Sequence, residues 1–167
     1  MIIHNNFLQK DYFNELQKII LGDNFPWFWN NLIVDDGTKL LCDQKYNGQL
    51  VHTFYDNDRV NSGYFKLLEK CIDNFDYKSL IRIKVNLTTS TETVIKHAFH
   101  EDSSDTNAKT TILYLNTCNG FTEFKDGTRV NSVENKAVTF NSNIHHTGST
   151  CSDKKIRVVL NFVYYDK

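Results

Sequence analysis

KSLIRIKVNLTT, residues 78–89, is where the chain's periodicity changes from helical to two. Alternate residues of an extended strand point to opposite faces, so Ile81, Ile83, Val85 and Leu87 share one side while Arg82, Lys84 and Asn86 share the other. TVIKHAFHED (93–102), KTTILYLNT (109–117), GFTEFKDG (120–127), TRVNSV (128–133), KAVTFNSN (136–143) and KKIRVVLNFVYY (154–165) follow with short turns between them. Such a succession predicts an antiparallel sandwich or barrel. In the last segment Ile156, Val158, Leu160 and Phe162 oppose Arg157, Val159, Asn161 and Val163. The polar rows are read either as a solvated outer face or as the wall of a polar lumen.

Upstream, the pattern is helical and mixed. Phe13, Leu16 and Ile20 recur at helical spacing, and Gly22 follows as a stop signal. In SGYFKLLEKCIDNF (62–75), Phe65, Leu68 and Ile72 form a second stripe that Asn61 or Ser62 can cap. Between them, Asp36-Gly37 in LIVDDGTKLL signals a hairpin, and GQLVHTFYD (48–56) reads as a strand. The expectation is one domain over 1–167, with a helical and mixed part at 1–77 and a β core at 78–167.

Composition narrows the function. The chain has 167 residues, a formal charge of -1 and 13% aromatic residues, which exclude a general nucleic-acid patch and argue against disorder. Charged or amide residues interrupt every apolar run before the roughly twenty residues a membrane span needs. Cys42, Cys71, Cys118 and Cys151 form no C-x-x-C pair, and MIIHNNFLQK does not read as a signal peptide, so reduced thiols and a cytoplasmic location are expected.

His100 and Asp102, two apart in KHAFHED, project from one face of an extended segment and can meet one ion. A third ligand must come from elsewhere, and His145 and His146 in NIHHTGST are the candidates. Two His and one carboxylate on one triangular face leave other octahedral positions open, an arrangement suited to iron(II) oxygenases. Arg157 follows at the start of the final segment, within IRVVLNF, where an unpaired charge in a buried strand would be costly.

H-E-D at 100–102, ILYLN at 112–116, NGFTEF at 119–124 and H-T-G…R…LNF from 146 to 162 resemble, in order and spacing, the Fe(II)/2-oxoglutarate dioxygenases, in particular the prolyl 4-hydroxylase-like branch. The resemblance implies a double-stranded β-helix, or jelly-roll, core of two antiparallel sheets. It makes His100, Asp102 and His146 the Fe(II) ligands, His146 being chosen because the family's ligand immediately precedes x-Gly. Arg157 becomes the partner of the distal carboxylate of 2-oxoglutarate, joined by Tyr114, whose alternative role is a core aromatic. Asn86 becomes a contact for the co-substrate's proximal end, with Arg82 and Lys84 as alternatives that could face substrate instead. His145 and His97 are expected to point away from the ligands, and Gly120 to permit close backbone approach beside the pocket.

The implied reaction is oxidative decarboxylation of 2-oxoglutarate to succinate, using molecular oxygen and with ascorbate as reductant, coupled to hydroxylation of a C–H bond. The carboxylate of Asp102 points to hydroxylation rather than halogenation. A peptide or small-molecule substrate is expected; a peptidyl proline, a free amino acid and a nucleobase all remain open, as does the oligomeric state. Trp27, Phe28 and Trp29 are candidates for a substrate groove or for core packing. The rival readings are a non-catalytic jelly-roll module that binds a metal or ligand and a cupin-type metalloenzyme. Neither needs Arg157.

Overall fold

The computed structural model describes residues 1–33 and 46–167; the Asp36-Gly37 hairpin expectation and Cys42 lie outside these residues. Helix α1 (Lys10–Ile20) buries Phe13, Leu16 and Ile20, the stripe its spacing predicts. A 3-10 segment (Gly63–Leu68), whose Ser62 side chain accepts the Tyr64 N–H, runs into the short helix α2 (Glu69–Ile72). An α-helix was expected throughout 62–75. Phe65, Leu68 and Cys71 are spaced by three, the interval that lines up side chains in a 3-10 turn, and all three pack into the core.

The strands are β1 (Ile2–His4), β2 (Phe28–Asn30), β3 (Gln49–Asp56), β4 (Arg59–Val60), β5 (Tyr77–Thr89), β6 (Ala108–Tyr114), β7 (Phe121–Phe124), β8 (Arg129–Asn131), β9 (Ala137–Asn141), β10 (His146–Gly148) and β11 (Ile156–Asp166). They form two antiparallel sheets, the jelly-roll arrangement expected. The larger runs β1-β9-β6-β11-β5-β3-β2, with β4 beside β3, and the smaller runs β10-β7-β8. Strands β1 and β2 have no counterpart in the sequence reading, because three-residue strands are too short to establish a period.

The central strands β5 and β11 explain the layering. Their apolar sides, Ile83, Val85 and Leu87 with Val158, Leu160 and Phe162, pack against Leu16, Ile20 and Leu68 of the helical layer. Their other sides look towards the smaller sheet. There Tyr114, Ile112 and Val159 meet Phe124, Val130 and Phe140 in a second apolar cluster.

One expected core residue is displaced. Pairing shifts between Val163↔Arg82 and Tyr164↔Leu80, so Ile81 is the extra residue of a bulge and Leu80 takes its place against the core. A bulge inverts the alternation beyond it, which periodicity alone does not reveal. Cys71, Cys118 and Cys151 are buried and free. Among the described residues no helix is long and apolar enough to cross a membrane.

Phe162 is fully buried and packs at a tilt against Phe75, at 5.0 Å between ring centroids. Phe162→Ala should cost about 3–5 kcal/mol of unfolding free energy in urea titration. The exposed Phe28 provides the contrast, and Phe28→Ala should stay within about 0.5 kcal/mol of the parent.

Candidate active site

The segment 95–102 was expected to be a regular strand but joins the smaller sheet only through two isolated bridges, Lys96↔Ser149 and His100↔His146. Three residues, 97–99, therefore lie opposite two, 147 and 148, which makes a bulge. The bulge has a consequence for His97. In a regular strand His97 and His100 would face opposite ways, but with one extra residue between the bridges both line the same cavity. The expectation that His97 points away is thus corrected.

Beyond the bulge the backbones lock. His100 N–H donates to His146 O and His146 N–H to His100 O, each at 2.9 Å, and the two rings sit 4.5 Å apart between centroids. Asp102 N–H donates to Ser142 O at 3.0 Å, turning its carboxylate towards the same place. One ligand atom from each of His100, Asp102 and His146 can be chosen so that all three lie within 4.8 Å of one another. His145 is outside this group; its carbonyl accepts the Lys125 N–H at 3.2 Å.

The donor set fits a divalent metal. His146 Nδ1 lies 3.0 Å from the Ile144 carbonyl, so it carries the proton and leaves Nε2 as an acceptor. That Nε2 stands 3.5 Å from Asp102 Oδ2. A shared proton or a metal cation between them satisfies the pair. Burial, followed by the neighbouring His146, pushes His100 down to about 4, so its imidazole is neutral at pH 7 and keeps a lone pair for a metal.

Burial alone would raise the Asp102 carboxyl, but His146 and Arg82 outweigh it, helped by Asn161, and hold it below the usual carboxylate range. Arg82 Nη2 donates to Oδ1 at 2.8 Å, while the Thr110 hydroxyl and Asn161 Nδ2 donate to Oδ2 at 3.0 and 3.1 Å. These three donors fix which lone pairs remain for a metal.

Arg157 lies on the same cavity wall, fully buried. Its Nε donates to the Ser132 hydroxyl at 2.7 Å and its Nη2 to the Thr122 hydroxyl at 3.2 Å. Among the described residues no carboxylate is within ion-pair distance of it. Burial pulls the guanidinium's pKa down from its ordinary value, but an arginine keeps its charge in a folded protein. Gly120 makes room for it: a Cβ there would lie 2.5 Å from Arg157 Cδ and 2.7 Å from the Thr150 carbonyl. Nη1 runs beside Gly148, where a Cβ would stand 3.4 Å away.

Asn86 and Lys84 both line the cavity, whereas Arg82 is taken by Asp102. Tyr114 is behind Arg157 rather than on the cavity wall: its ring centroid is 5.7 Å from the guanidinium carbon and its hydroxyl donates to the Val130 carbonyl at 3.3 Å. Trp27 packs edge-on to Phe25, while Phe28 and Trp29 are exposed. Sequence reasoning passed over Thr88, Thr122 and Ser132. Alternation along RIKVNLT places Thr88 in one row with Lys84 and Asn86, but no local signal marks Thr122 or Ser132, which reach Arg157 from the other sheet.

No protein-family model and no curated protein matches the chain. Solved structures do. A prolyl hydroxylase from Trichoplax adhaerens, in complex with a hypoxia inducible factor oxygen degradation domain peptide, superposes with a TM-score of 0.68 over 99% of this chain and 83% of its own, at 17% identity. The epimerase SnoN of nogalamycin biosynthesis, with Fe3+ and alpha ketoglutarate, gives 0.67 over 99% and 78%, at 12% identity. A 2OG-Fe(II) oxygenase family oxidoreductase from Burkholderia pseudomallei gives 0.63 over 98% and 84%, at 11% identity. At these identities the likeness is one of architecture: the chain has the jelly-roll fold of the 2-oxoglutarate-dependent Fe(II) oxygenases, prolyl hydroxylases among them.

Proposed function

We propose that this chain is a non-haem iron(II) oxygenase that couples oxidative decarboxylation of 2-oxoglutarate to succinate with hydroxylation of a substrate C–H bond. The observation that carries the reading is Arg157, a guanidinium buried in a cavity with no carboxylate partner among the described residues. A buried charge is costly unless paired, so this one is built to receive an anion. A structural metal-binding module has no use for it.

His100, Asp102 and His146 would hold the metal, which with 2-oxoglutarate and molecular oxygen supplies the oxidising chemistry. Arg157 would take the distal carboxylate of the co-substrate through donors left over from Ser132 and Thr122, its planar fork suiting a bidentate pair. Tyr114 supports that guanidinium from behind. Asn86, whose buried Oδ1 has no hydrogen-bond partner among the described residues, and Thr88 line the cavity between Arg157 and the residues that would hold the metal. Ile112 and Val159 supply apolar wall to the same cavity. A peptidyl proline is one candidate substrate, as for the Trichoplax hydroxylase.

Calorimetry with manganese should find one divalent ion per chain. His100→Ala, Asp102→Ala and His146→Ala should each abolish tight binding, and His145→Ala should retain it. Stoichiometric binding by all three ligand variants would refute the assignment.

For Arg157→Ala, anaerobic calorimetry should register a loss of about 3–5 kcal/mol in 2-oxoglutarate binding, roughly a hundredfold or more in affinity, with manganese binding intact. Arg157→Lys should recover part of the loss, because an ammonium keeps the charge without the fork. Equal affinities in all three proteins, or no binding by the parent, would remove the oxygenase reading. With iron and ascorbate present, 2-oxoglutarate turnover is the corresponding test of activity.

A further inference from the structure

Strand β5 sends four polar side chains in succession towards the cavity. Arg82 is consumed by Asp102. Thr88 stands opposite Arg157, Asn86 opposite Val159 and Lys84 opposite Asn161, whose amide holds Asp102. Lys84 therefore lies level with the metal ligands, four residues along the strand from Arg157, about 13 Å at the backbone. An extended five-carbon dicarboxylate is shorter than that. Seated on Arg157, it runs past Thr88 and Asn86 towards the metal ligands, and Lys84 stands one place further along the row.

Lys84 has neither an ion pair nor a hydrogen bond among the described residues, although it lines the cavity beside His100. Burial, followed by the Arg82 charge, pulls its pKa down to about 8, so the ammonium still predominates at neutral pH. A half-buried cation on a cavity wall, on which the Asp102 and Asp56 carboxylates act only from beyond ion-pair distance, is a receptor for an anion. Thr53 pairs with Lys84 on the same face, and Thr53, Val51 and the exposed Phe28 line a second concavity together with Pro26, His52 and Tyr64. That surface suits the apolar remainder of a small molecule.

We propose that Lys84 binds a carboxylate of the primary substrate, and that the substrate is a small carboxylic acid, such as a free amino acid, with its apolar part on Val51 and Phe28. This inference rests on the oxygenase reading above. The alternative source of the same chemistry is the proximal carboxylate of 2-oxoglutarate, and the test separates the two.

The iron-loaded protein would be given 2-oxoglutarate, ascorbate and a panel of apolar amino acids and aliphatic acids, each beside its methyl ester, with 2-oxoglutarate consumption as the readout. At least one acid should stimulate consumption about tenfold or more while its ester does not, and Lys84→Met should lose that stimulation with 2-oxoglutarate affinity, read by anaerobic calorimetry, held within about twofold. A tenfold or greater fall in that affinity in Lys84→Met would instead give Lys84 to the co-substrate and overturn the proposal. So would stimulation by esters equal to that by acids, or stimulation by none of the acids. Failure of the parent to bind 2-oxoglutarate at all would be a different result, striking the oxygenase reading itself.

Discussion

The reciprocal hydrogen bonds between the backbones of His100 and His146, each 2.9 Å, hold the centre of this molecule together. They clamp an irregular segment onto β10 at one point and so hold the two imidazoles side by side, 4.5 Å apart and tilted by 48°. The bulge just before the clamp bends the segment, and the Asp102–Ser142 hydrogen bond after it turns the carboxylate inward. Three side chains separated by as much as 46 positions thereby converge without any regular strand to carry the first two. A site of this kind is positioned by backbone pairing, and its side-chain donors are then oriented by partners such as Ile144 O, Arg82, Thr110 and Asn161.

A second constraint comes from β5 and β11, the two-sided strands at the middle of the larger sheet. Each spends one face on the helical layer and the other on the cavity. A polar face sealed between two sheets is expensive, because each buried donor, acceptor or charge must be matched. Part of the matching is internal, as with Arg82 and Asp102. The remainder leaves Arg157 and Lys84 as cations on the cavity wall, and Asn86 Oδ1 and Thr88 Oγ1 without a hydrogen-bond partner among the described residues.

The architecture resembles that of enzymes with different bound ligands, a prolyl hydroxylase in complex with a peptide and an epimerase in complex with nogalamycin RO. Shared architecture does not carry a shared substrate. Two local features of this chain are Lys84 on the cavity wall and a second concavity that Phe28 of β2 and Val51 and Thr53 of β3 help to line.

Much of this was legible in the sequence. Alternation identified β5, β6, β9 and β11 and separated the apolar sides of β5 and β11 from the polar ones. The H-x-D spacing, the later histidine and Arg157 singled out the residues that surround the cavity. These features could be read because period two and a fixed motif are properties of consecutive residues. Other features could not. The bulge that brings His97 in beside His100, and the one that exchanges Ile81 for Leu80, each depend on how many residues the opposing strand supplies. Likewise, whether Arg82, Lys84 or Asn86 faced a ligand was undecidable until Asp102, 20 positions further along, was seen to claim Arg82. The hydroxyls of Ser132 and Thr122 hold Arg157 across the gap between the sheets. The sequence determined the strands, their faces and the chemistry available, because those depend on local periodicity; only tertiary structure decided which polar groups neutralise one another and which remain for a ligand, because that depends on contacts between strands distant in the chain.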